Sequence, residues 1–93
     1  MSEQISLYDY VICKEQHSSK EINDFLSNNI GQVVDFNSYS YKYYFDERYK
    51  YIVKYNNIPE YLEEYFDRDL RGFMLEDIIY HSKNKEDIEK HNI

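Results

Sequence analysis

Carboxylate side chains crowd one stretch of this 93-residue chain. Between Pro59 and Tyr80 there are seven acidic residues and two arginines, which gives this stretch a net charge of −5 out of −7 for the whole protein. The seven acids are Glu60, Glu63, Glu64, Asp67, Asp69, Glu76 and Asp77. Carboxylates can exchange protons with a substrate, ligate a cation or attract a basic partner. The residues around them favour the third of these roles.

Acid–base, metal and nucleophilic chemistry all lack their usual sequence patterns. An acid–base pair such as Glu63 and Asp67 needs one desolvated carboxylate, and these acids are expected on an exposed face. Asp67-Arg68-Asp69 lacks the glycine and the terminal glutamate of a calcium loop, and His17, His81 and His91 have no partners at ligand spacing. Cys13 follows Ile12 in an apolar run, which is typical of a buried thiol. We therefore predict a protein that is not an enzyme and binds neither metal nor cofactor.

The acids have a regular spacing that suits a helix over 59–70. Glu60, Glu63, Glu64 and Asp67 recur at i, i+3, i+4 and i+7. Each i to i+4 step advances about 6 Å along a helix, and phosphates along one DNA strand repeat every ~3.4 Å, so such a stripe resembles every second phosphate. The alternative interpretation is an ordinary solvated face. Like charges at i,i+4 destabilise a helix and few lysines offset them here, which favours a function for the stripe.

Composition predicts one soluble domain over residues 1–93. Charged residues make up 31% and aromatic residues 18% of the chain, as expected for a folded globular protein. No apolar run reaches the ~18 residues of a membrane span, and the first residues lack the pattern of a secretory signal. The single cysteine fits a reducing compartment. We expect a cytoplasmic protein, in the host cell if a phage encodes it.

Periodicity divides the first third of the chain into a strand and a helix. Residues 5–13 alternate loosely and predict a strand. Ser18 and Glu21 have the spacing of a capping box, and Gly31 stands where a left-handed helix stop is expected. Ile22, Phe25, Leu26 and Ile30 lie between them at helical spacing. These features predict a helix over about 19–30.

Twelve tyrosines dominate the composition, and those in the middle of the chain alternate. Tyr39, Tyr41, Tyr43 and Phe45, and then Tyr49, Tyr51, Val53 and Tyr55, share one face, with Lys42, Lys50 and Lys54 opposite. This pattern predicts a β-hairpin after a short strand over 32–36, and a helix over 42–53 is the alternative. Codon bias explains the number of tyrosines, but not their spacing. We expect an aromatic interface formed by Tyr39, Tyr41, Tyr44, Tyr51 and Tyr55, and from it a homodimer.

The last third of the chain begins with Pro59 at the first turn of the predicted 59–70 helix. Residues 73–80 suit either a second helix or a strand that closes the sheet, and the polar tail 82–93 is expected to fray. The predicted fold is therefore α+β, with a small antiparallel sheet in the order β-α-β-β-β-α-α and two or three helices.

One run of residues in the acidic stretch has a distinctive motif: Ile58-Pro59-Glu60-Tyr61-Leu62-Glu63-Glu64-Tyr65-Phe66-Asp67, then Arg68-Asp69-Leu70, and Gly72 followed by Leu75. Over residues 58–75 this motif resembles the C-terminal domain of ArdA-type antirestriction proteins. The chain departs from that family at one of two places. Either the Tyr-Glu-Ala-like insert that precedes Arg-Asp-Leu in the family is absent here, or Phe73-Met74 replace the family's Arg-Asp. ArdA proteins are also longer, with three small domains. The resemblance implies a DNA mimic in which Glu60, Glu63, Glu64, Asp67 and Asp69 stand in for phosphates.

Charge and resemblance together predict a non-enzymatic acidic inhibitor from a phage or mobile element. Its partner would be a basic protein, such as a restriction or CRISPR nuclease whose nucleic-acid site it blocks (an antirestriction or anti-CRISPR role). One alternative is an antitoxin or immunity protein that caps a basic nuclease toxin. A second is a nucleic-acid-binding protein that uses the Tyr/Lys hairpin, but the pI of about 4.8 opposes attraction to phosphate. We expect no direct contact with nucleic acid or membrane.

Overall fold

The computed structural model describes residues 4–16, 18–37 and 45–91, and over these ranges it contains a five-stranded antiparallel sheet. The strands are β1 (Tyr10–Cys13), β2 (Gly31–Phe36), β3 (Tyr51–Lys54), β4 (Leu70–Phe73) and β5 (Ile78–Ser82). They lie in the order β4-β3-β2-β1-β5, so that β4 and β5 form the two edges. The predicted α+β class with an antiparallel sheet is confirmed.

Helix α1 (Lys20–Asn28) packs its apolar stripe of Ile22, Phe25 and Leu26 into the core. Its N-cap is Ser19, whose side chain accepts from the N–H of Ile22, rather than the Ser18 that the sequence predicts. The hydroxyl of Ser18 donates to Glu15 instead. The helix ends at Asn28, before the predicted residue 30, and the next residue is already extended.

Gly31 begins β2 and does not provide the predicted left-handed helix stop. A Cβ at this position would overlap the side chain of Val53 and lie 2.8 Å from the Tyr55 ring. Glycine is therefore required here by the close approach of two buried side chains.

The core is built around one fully buried tyrosine. The Tyr55 ring lies 5.6 Å from Phe25, 5.7 Å from Phe66 and 6.3 Å from Phe73 between centroids, in tilted or edge-on arrangements that aromatic pairs favour. The aliphatic members of this cluster are Val11, Ile22, Leu26, Val33, Val53 and Leu62. Aromatic rings thus supply the core volume that a chain poor in Leu and Val lacks.

Strand β3 does not have the simple one-sided pattern predicted for the aromatic hairpin. Ile52 and Val53 point to opposite faces and both are fully buried, because both faces of this inner strand are covered. Lys50 and Lys54 are exposed. The other predicted strand of the hairpin, through residues 39–44, lies outside the described residues.

The predicted α-helix over 59–70 is wrong. Residues Glu60–Tyr65 form a short 3₁₀ helix (η1), and the chain then turns at Arg68 and Asp69, which have left-handed φ values of 53° and 67°. The turn lets Leu70 exchange backbone hydrogen bonds of 2.8 and 2.9 Å with Asp67. Strand β4 then pairs with β3, which satisfies backbone groups that a helix end would leave open.

For residues 73–80 the sequence allows a second helix or a strand, and the structure contains the strand. A 3₁₀ turn, η2 (Leu75–Asp77), leads directly into β5. The tail that was expected to fray contains helix α2 (Lys85–His91), which packs on β5 and β1 and buries Ile88 completely. The buried Ile88 side chain and a 3.0 Å hydrogen bond from the Ser82 hydroxyl to the Asp87 carboxylate connect this helix to the sheet.

The sheet is strongly curled. Residues 74–77 connect β4 to β5, although these strands lie at opposite edges. Such a connection spans at most about 18 Å, whereas four strand spacings in a flat sheet need about 19 Å before any shift along the strands. Curling brings the edges towards each other, and a contact of 2.6 Å connects Arg71 in the edge strand β4 with Glu15, which follows β1, the strand beside the other edge.

Candidate functional site

The first candidate site is the acidic segment, defined as residues 60–69. Glu60, Glu63, Glu64 and Asp69 are exposed and Asp67 is half-buried. A 3₁₀ helix has three residues per turn, so Glu60 and Glu63 lie on the same side and Glu64 lies about a third of a turn away. Since Asp67 and Asp69 follow beyond the helix, the regular stripe predicted from an α-helix is absent. The acidic segment is therefore a short surface region in which carboxylates are close together but not regularly spaced.

The acidic segment keeps most of its charge. Its ten residues include five carboxylates and one cation, Arg68, so the net charge of the segment is −4. Arg68 pairs with its neighbour Asp67 at 3.2 Å in an exposed contact. Across the described ranges, the side chains of Glu60, Glu63 and Glu64 make no ion pair with lysine or arginine.

Arg71, the next cation along the chain, pairs with the carboxylate of Glu15 and not with a carboxylate of the acidic segment. Its Nη2 and Nε donate to the two carboxylate oxygens of Glu15 at 2.6 and 3.0 Å, and its Nη1 donates to the carbonyl of Tyr65 at 2.7 Å. Ser18 donates to the same carboxylate, and the backbone of Glu15 bonds to the side chain of Asn23. Sequence reasoning missed this pair, because 56 residues separate its members and no local pattern connects them.

A cleft of about 560 Å³ lies beside this ion pair, where the edges of the curled sheet approach each other. Its walls are formed by residues 15, 16 and 18 after β1, by the 45–49 segment, by Arg71 and Gly72 in β4, and by the 74–77 connection. Phe45 and Tyr49 lie against Gly72, since a Cβ at that position would be 2.9 Å from the Cβ of Tyr49 and 3.3 Å from the Phe45 ring. The cleft therefore combines an aromatic wall with charged walls.

Asp77 and Glu76 belong to this cleft rather than to the acidic segment. Glu76 is exposed and Asp77 is only 7% exposed, and the partner-binding role expected for both stays a prediction. One carboxylate oxygen of Asp77, Oδ2, accepts the N–H of Met74 at 3.1 Å. Burial raises the pKa of Asp77 above 3.8, the negative charges of Glu15 and Glu76 act in the same direction, and the Met74 hydrogen bond opposes them.

Two of the five tyrosines predicted to form an aromatic interface, Tyr51 and Tyr55, lie within the described residues. Tyr39, Tyr41 and Tyr44 lie outside the described residues. Tyr51 is half-buried and packs edge-on against Phe36 at 5.9 Å between ring centroids. Tyr55 is fully buried in the core and is unable to contact a partner, which corrects that assignment. The homodimer inferred from these tyrosines stays a prediction.

Cys13 has the properties of a structural thiol. It is fully buried, and burial raises its pKa from 9.0 to about 12, which keeps the thiol protonated. In the part of the chain that the structure describes, no three His, Cys, Asp or Glu side chains are grouped closely enough to hold a metal ion. The helices in those same ranges are all too short or too polar to cross a membrane.

Comparison of the chain with protein-family models, with curated proteins and with solved structures finds no match. The resemblance of residues 58–75 to ArdA-type proteins therefore rests on its sequence motifs alone and stays a prediction.

Proposed function

We propose that this protein is a non-enzymatic inhibitor that acts in the cytoplasm by placing its acidic segment in the basic nucleic-acid site of a nuclease. The observation that carries the proposal is the uncompensated charge of the segment. Five carboxylates are exposed or half-exposed within ten residues, while Arg71, the nearest cation apart from Arg68, is held inward by Glu15. Concentrated like charge opposes folding, so a surface that retains it is expected to have a cationic partner.

The proposal differs from the phosphate-by-phosphate mimicry that the sequence suggested. Without an α-helix there is no repeat that matches the spacing of a DNA strand. The segment imitates the charge density of a polynucleotide and not its periodicity. Binding should then depend on the number of carboxylates more than on any one of them, and it should be steered by long-range attraction.

Charge reversal of three exposed acids tests the proposal. The variant Glu60→Lys/Glu63→Lys/Glu64→Lys is compared with a control of equal charge change at exposed acids elsewhere, Glu47→Lys/Glu86→Lys/Glu89→Lys. Each protein is added to purified restriction endonucleases, CRISPR nucleases and nuclease toxins, and DNA or RNA cleavage is measured as salt is raised. The toxins are included because an antitoxin role uses the same chemistry.

The natural chain is expected to inhibit at least one of these nucleases. Inhibition should weaken as salt rises past about 0.15 M, where the Debye length is about 8 Å. The Glu60/Glu63/Glu64 variant should lose inhibition, and the control should keep most of it. Equal losses in both variants would show that only net charge matters, and unchanged inhibition by the first variant would refute the role of the acidic segment.

A further inference from the structure

We draw no further inference here: the strongest candidate, the surface patch on the β-turn over residues 6–9 where the side chains of Leu7 and Tyr8 are exposed, is an unpartnered apolar surface, and nothing in the described residues shows what covers it.

Discussion

Replacing Arg71 with methionine should destabilise the fold more than most single substitutions. The variant removes both hydrogen bonds to Glu15 and the bond to the Tyr65 carbonyl. Glu15 is only 9% exposed, so its carboxylate would stay buried without a cation. Removal of one partner from such a pair costs about 3–5 kcal/mol, which is a large share of a typical total stability of about 5–15 kcal/mol.

The assay is urea unfolding followed by circular dichroism at neutral pH. With a slope of about 1–3 kcal/mol per molar urea, Arg71→Met should lower the unfolding midpoint by more than about 1 M. The double variant Glu15→Gln/Arg71→Met removes both charges and should recover much of the loss, because no charge is then left buried alone. Lys20→Met removes the exposed pair with Asp24 and should cost no more than about 0.5 kcal/mol.

Either of two urea-unfolding results would refute the assignment of Glu15 and Arg71 as a stabilising buried pair. A loss below about 1 kcal/mol for Arg71→Met would mean that water replaces the cation at no great cost, as it does at exposed pairs. Additive losses in the double variant would mean that Arg71 and Glu15 stabilise the fold independently rather than as a pair.

Three further predictions concern buried positions. Asp77→Asn should gain stability over the natural chain at pH 7 and lose that advantage as pH falls towards 4, because burial raises the folded-state pKa of Asp77 above 3.8 and protonation then favours the fold; urea unfolding from pH 7 to 4 measures the difference, and a constant gap would contradict it. Gly31→Ala should cost about 1–3 kcal/mol, seen as a lower thermal midpoint, since the new methyl would overlap Val53 and Tyr55; an unchanged midpoint would show that the core yields. Iodoacetamide should alkylate Cys13 about a thousand times more slowly in the native protein than in urea at pH 8, because its pKa rises from 9.0 to about 12, and equal rates would show that the thiol is open to solvent.

The elements that sequence reasoning located are those whose patterns are local. Helix α1 has its apolar residues at helical spacing beside a serine cap, and three of those residues are buried as the spacing predicts. Strands β1, β2 and β3 fall within the segments that alternate or run apolar. Periodicity in these segments reports burial directly, because one face of each element meets the core.

The 59–70 segment shows why the same reasoning failed further on. Tyr61, Leu62, Tyr65 and Phe66 have helical spacing, yet Tyr61 is 68% exposed while Leu62 is fully buried. The pairing of β4 with β3 decides the conformation, and its partner residues 51–54 lie well before the segment in sequence. Local spacing carries no information on such a pairing, nor on the Glu15–Arg71 contact or the burial of Asp77, all of which depend on how the sheet curls.

The loss of the predicted helix also explains why the acidic segment remains charged. In an α-helix, Asp67 and Arg71 would be neighbours at i,i+4 and would pair on the surface. In the observed fold, Arg71 lies in a strand whose inward face carries Phe73 into the core, so its side chain points inward and meets Glu15. The departure that removes the regular stripe therefore also removes the cation that would have neutralised it.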